Sequence, residues 1–154
     1  FPYDQAKIII ERELGKPLTE VFENLDERPL ASASIGQVHK ARLKTGEEVV
    51  VKIQRPDVEE IIDVDLSILK EAVRRTDRYF KREGINNAPD VIKAFERSML
   101  KELDYNNEAR NMERMKKLYR SYENFYIPKV YRTHSSQKIL VIEYTQNVIL
   151  EYLI

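Results

Sequence analysis

LASASIGQVHKARLKTGEEVVVK, residues 30–52, is the stretch on which the fold turns. Val38 to Leu43 alternates loosely like a strand, Lys44-Thr45-Gly46-Glu47 is a hairpin turn, and Val49 to Ile53 is an apolar, β-branched strand. Small residues lead into the first of these strands. In a G-x-G-x-x-G-x-V phosphate cover, glycines let the backbone approach a nucleoside triphosphate and the valine packs on its base. On that template Ala31, Ala33 and Gly36 take the glycine places, Val38 takes the valine place, and Ser32, Ser34 and Ile35 fill the rest of the loop. Each alanine adds a Cβ and disfavours positive φ, so this cover is stiffer than a glycine loop. Lys52 interrupts the second strand. A lysine inside a buried strand costs desolvation unless an anion meets it, and phosphates together with a helix carboxylate are such anions.

Taken singly, the loop reads as a tight hairpin and the lysine as a chain that reaches water. Loop, hairpin, β-branched strand and inward lysine in this order match the protein-kinase motif set. In that frame Ile139 to Thr145 enters a hinge. Ile142 guards the back of an adenine pocket, and the Glu143 C=O and Thr145 N–H face the adenine edge. Val50 stands where kinases usually carry a small alanine, which tightens the pocket roof.

The segments PLASASIGQVHKARLKTGEEVVVKIQRPDVEEIIDVDLSIL, KELDYNNEARNMERM and FYIPKVY with ILVIEY resemble the UbiB (AarF-type) family of atypical, protein-kinase-like proteins. The similarity covers nearly all of the chain. It implies an α+β, protein-kinase-like N-terminal lobe: an antiparallel sheet with a helical insertion between the lysine strand and the next strand, preceded by N-terminal helices. It also implies binding of ATP or ADP, Mg²⁺ held in the full-length protein by residues outside this chain, and a role in coenzyme Q or other isoprenoid-lipid metabolism. The implied partners are the nucleotide and a lipid or lipid-biosynthesis proteins. Within E-L-D-Y-x-x-E-A-x-N the resemblance offers Glu102 as the counter-charge of Lys52, with Asp104 and Glu108 as further acidic residues near the pocket. Read without it, Glu102 solvates a helix flank and Glu108 pairs with local cations such as Arg110.

The rest of the chain reads as follows. Residues 3–14 suit a helix closed by Gly15 with Ile8, Ile9 and Leu14 inward, and Pro17 to Asn24 a short second helix with Leu18, Val21 and Phe22 inward. Val58 to Phe80 follows the helical period, Gly84 to Ala88 breaks it, and one long helix runs from about Pro89 to about Tyr122 with Ile92, Phe95, Met99, Leu103 and Asn106 on one stripe. Pro128 to Tyr131 and Lys138 to Tyr144 read as two strands around a polar turn at residues 134–137. One partial domain is expected: a helical extension at 1–26, the loop and lysine strand at 27–55, the helical insertion at 56–126, and the last strands and hinge at 127–146.

Composition narrows the function classes. The 154 residues are 42% apolar and 34% charged with zero net charge. That balance argues against a nucleic-acid grip, which needs a basic excess. There is no cysteine, so disulfides and thiolate metal sites are excluded, and His39 and His134 lack metal-ligand spacing. Eleven residues follow Glu143. They leave no room for a catalytic-loop Asp and Asn or a metal-binding D-F-G Asp, so the chain reads as a piece of a longer protein and binding without turnover is expected. The alternatives to an ATPase or kinase lobe are a pseudokinase-like module switched by nucleotide and a purely structural helical module.

Overall fold

The structure, a computed structural model, describes residues 1–82, 88–122 and 125–145. It divides into two compact units, residues 1–56 with those from 104 onward, and residues 57–103. The sequence offers no linker to mark this division. It arises because one helical pair finds its packing within itself.

The first unit is built on an antiparallel sheet. α1 (Tyr3–Leu14) ends at Gly15, whose φ of 64° is the left-handed C-terminal turn that glycine adopts without penalty. Its buried residues are Ala6, Ile9 and Ile10, whereas Ile8 is exposed. The i, i+3, i+4 spacing from Ala6 thus sets the inner face one residue away from the stripe expected around Ile8. α2 is a single turn, Leu18–Val21, and the chain then extends into β1 (Phe22–Leu25) instead of continuing as helix to Asn24. Pairing with β3 (Gly36–Leu43) accounts for this: Phe22 lies opposite Leu43 and Leu25 opposite Ala41. β2 (Ala31–Ser32) also pairs with β3, β4 (Glu48–Gln54) follows across the turn at Gly46, and β5 (Ile139–Glu143) closes the order β1-β3-β4-β5. Residues 128–131 form no full strand. Val130 makes an isolated bridge to Ile142, Tyr131 N–H donates to Val141 C=O at 2.8 Å, and a 3₁₀ turn follows at Arg132–His134.

Both faces of the sheet are covered. Ala41, Leu43, Val49, Val51, Ile53, Ile139 and Val141 pack with α1 and α2. Val38, Val50, Leu140 and Ile142 pack with Tyr105 and Ala109 of α5 (Tyr105–Leu118). His39 belongs to the first face; it is buried, with Nδ1 2.8 Å from the Asp26 carbonyl oxygen.

The second unit is α3 (Val58–Arg82) packed on α4 (Ala88–Leu103), with Lys70 Nζ 2.7 Å from Glu96 Oε1. The break expected at Gly84 to Ala88 falls, up to residue 87, outside the described residues, as do the Phe80 side chain and the apolar run 148–154.

The long helix expected over 89–122 is two helices. Asp104 has extended backbone (φ −95°, ψ 96°), and its carboxylate accepts the Asn106 N–H at 3.0 Å, the geometry of an N-cap that starts α5 afresh. Asp104→Ala should therefore cost about 1 kcal/mol. Urea unfolding of the variant checks this, and a midpoint equal to the parent's would remove Asp104 from the role.

No helix among the described residues is long and apolar enough to cross a membrane.

Candidate nucleotide site

Directly opposed residues of an antiparallel pair share a face, as do alternate residues along a strand. The register sets Val38 opposite Lys52 and Lys52 opposite Leu140; Val50 lies between Lys40 and Ile142. Val38, Val50, Lys52 and Ile142 therefore stand together on the face that α5 covers. Each is at least nine-tenths buried.

The anion that meets Lys52 comes from α5. Lys52 Nζ lies 2.9 Å from Glu108 Oε2, with the lysine side chain 10% and the glutamate 28% exposed, and the ammonium sits 5.0 Å over the Tyr105 ring. Glu102, the counter-charge expected from the motif, is exposed on the last turn of α4, in the other unit. The cap at Asp104 is the reason. It restarts the helical phase, so that Tyr105, Glu108, Ala109 and Met112 share one stripe at i, i+3, i+4 and i+7, and that stripe faces the sheet. Asp104 contributes the cap and lies 3.9 Å from Arg110, a role in placing Glu108.

Two further contacts fix α5. Tyr105 N–H donates to Gln137 C=O at 3.0 Å, and the Arg132 guanidinium grips Glu113 through two hydrogen bonds of 2.8 Å. Those bonds hold the Glu113 carboxyl below the usual carboxylate range.

The loop is compact. Ala33 N–H donates to Gly36 C=O at 2.8 Å. Neither alanine occupies positive φ, and nor does Gly36. Alanine therefore costs nothing in backbone strain at 31 and 33. Glycine is needed at 36 for space, because a Cβ there would stand 2.6 Å from the Ile53 carbonyl oxygen and 2.7 Å from the Tyr105 hydroxyl. That hydroxyl is buried without a hydrogen-bond partner among the described residues, and burial, then the Glu108 charge, push its pKa up.

At the end of β5, Glu143 N–H donates to Lys129 C=O at 2.9 Å, and its carboxylate accepts Lys129 N–H at 3.0 Å. Tyr126 also donates to that carboxylate, which raises the Tyr126 pKa to about 12. Thr145 Oγ1 is buried and unpartnered among the described residues. No group of three or more His, Asp or Glu among these residues could hold a metal ion.

Sequence reasoning passed over Tyr105 and Arg55. The signal for Tyr105 was present, since it leads the i, i+4, i+7 stripe that Ala109 and Met112 continue. Arg55 donates from Nε to Ser34 C=O at 3.0 Å and from Nη2 to Ala33 C=O at 3.3 Å, contacts that no local pattern announces.

An open groove of about 960 Å³ lies elsewhere, between α1, β1 and residues 26–30, and none of the residues of this site lines it.

The comparisons with known proteins agree with this architecture. The model of the ABC1 atypical kinase-like domain matches residues 1–153. The chain belongs to this family. It is 41% identical over 144 residues to the "Probable protein kinase UbiB" of Pseudomonas fluorescens strain SBW25, an alignment spanning 92% of this chain and 27% of that protein. It is 38% identical over 151 residues to "Protein ACTIVITY OF BC1 COMPLEX KINASE 7, chloroplastic" of Arabidopsis thaliana, spanning 96% of this chain and 21% of that one. A solved structure of Rv3197 from Mycobacterium tuberculosis in complex with erythromycin superimposes with a TM-score of 0.74 and 30% identity over 99% of this chain and 38% of that chain. The ABC1 domain described here thus spans about a quarter of the length of these curated relatives, and its fold is the N-terminal lobe of the kinase-like architecture.

Proposed function

We propose that this chain is the adenine-nucleotide-binding lobe of an atypical kinase or ATPase. The observation that carries the reading is the Lys52–Glu108 pair. It is a nearly buried ammonium held by a helix carboxylate, on the one sheet face where Val38, Val50 and Ile142 supply an apolar wall. A lysine so placed meets the α- and β-phosphates, the loop from Ala31 to Gly36 covers them, and the main chain from Glu143 to Thr145 takes the adenine edge. The unpartnered Thr145 hydroxyl at the hinge end fits a polar ligand there.

The word kinase in the names of the relatives supports phosphoryl transfer by the whole protein, with ATP hydrolysis as the related activity of the same lobe and Mg²⁺ held by residues outside 1–154. The likeness to UbiB supports a role in coenzyme Q or other isoprenoid-lipid metabolism, with a lipid or lipid-biosynthesis proteins as further partners. Calorimetric titration with ATP tests the reading. The parent chain should bind, Lys52→Ala should bind at least tenfold more weakly, and neither should hydrolyse ATP faster than the other. Failure of ATP to bind, or equal binding by both, would remove Lys52 from the site.

A further inference from the structure

Arg55 follows directly on β4, and three of its nitrogen atoms donate to the alanine-rich loop. The guanidinium donates to Ser34 C=O at 3.0 Å and to Ala33 C=O at 3.3 Å, and the backbone N–H donates to Ile35 C=O at 2.8 Å. Three consecutive carbonyls are therefore turned toward one residue. In a trans peptide the C=O of one residue and the N–H of the next lie in one plane and point in opposite directions. No peptide bond among the described residues is cis. The N–H groups of Ser34, Ile35 and Gly36 are thereby directed away from Arg55, and those of Ser34 and Ile35 have no partner among the described residues. Successive unpaired N–H groups in a turn form a concave site for an anion.

In a glycine-rich cover, free φ lets such N–H groups find a phosphate. Here alanines at 31 and 33 remove part of that freedom, and an external residue has to set the peptide planes. We infer that Arg55 is a positioning residue for the phosphate subsite: by holding the carbonyls of Ala33, Ser34 and Ile35, it presents the N–H groups of Ser34, Ile35 and Gly36 to the oxygens of a polyphosphate. The assignment of that polyphosphate to ATP rests on the nucleotide-binding reading above; the orientation of the loop does not. Arg55 also lies 5.8 Å from the Phe1 ring, a contact that does not engage the loop.

The test uses the parent chain, Arg55→Lys and Arg55→Ala, with ATP, adenosine and inorganic tripolyphosphate as probes, and ¹⁵N-resolved amide spectra of each protein without ligand. In the unliganded spectra the amides of Ser34 and Ile35 should shift in Arg55→Ala, while that of Gly36, whose peptide is held by the backbone N–H that the variant keeps, and those of Val50 to Ile53 stay in place. In the titrations, Arg55→Ala should lose at least tenfold in affinity for ATP and tripolyphosphate and less than twofold for adenosine. Arg55→Lys should fall between the two, because one ammonium cannot replace the planar fork. Equal losses for ATP and adenosine, or loop amides unchanged in Arg55→Ala, would overturn the inference. A parent chain that binds tripolyphosphate but neither ATP nor adenosine would overturn the nucleotide reading and leave the positioning role supported.

Discussion

Gly36→Ala should destabilise the chain by about 2–3 kcal/mol, the upper part of the range for forcing atoms into a packed site. An added Cβ meets the Ile53 carbonyl oxygen at 2.6 Å and the Tyr105 hydroxyl at 2.7 Å. The carbonyl is backbone within the central strand, and Tyr105 is fully buried at the head of α5, so neither can step aside without moving the sheet or the helix. Adding Tyr105→Phe removes one of the two clashes together with a buried hydroxyl that has no partner. It should recover about 1 kcal/mol and leave the clash with Ile53. Urea unfolding of the single and double variants measures both effects. A Gly36→Ala protein within about 0.5 kcal/mol of the parent would show that the loop and α5 do not approach as described.

Glu108→Gln should cost about 2 kcal/mol, because it leaves the Lys52 ammonium nearly buried and without its counter-charge. Lys52→Met should cost less, about 1 kcal/mol, since Glu108 is 28% exposed and can hydrate. The double variant Lys52→Met with Glu108→Leu leaves no orphan charge and should be more stable than the sum of the singles predicts. Glu102→Gln should stay within about 0.5 kcal/mol of the parent and show no coupling to Lys52. Coupling of Lys52 to Glu102, with none to Glu108, would reverse the assignment.

The sheet was legible because its signals are local. Val49 to Ile53 alternates between two covered faces and is β-branched except at Lys52, Gly46 marks the hairpin, and Gly15 closes α1 with the positive φ that its type allows. The loop and Lys52 could be placed for the same reason. The partner of Lys52 could not. Choosing between Glu102 and Glu108 required knowing that Asp104 caps a new helix, and one non-helical residue is enough to turn every later side chain to a new azimuth. β1 and the 128–131 segment depart from the sequence expectation in opposite directions, the first being strand where helix is expected and the second forming a single bridge where a strand is expected. Phe22 to Leu25 is extended only because β3 offers an edge, and Pro128 to Tyr131 meets β5 at a single bridge, outcomes decided by tertiary pairing and not by propensity. Arg55 was invisible because its partners are loop carbonyls, which carry no side-chain signature.

The central claim is that the α5-covered face of the sheet binds adenine nucleotide. Mapping ATP-induced shifts of the ¹⁵N amides tests it most directly. Saturable shifts are expected at Ser34 to Val38, at Val50 to Lys52 and at Ile142 to Thr145, with the groove residues Tyr3, Lys7 and Glu23 unmoved. Shifts confined to that groove, or none at saturating ATP, would contradict it.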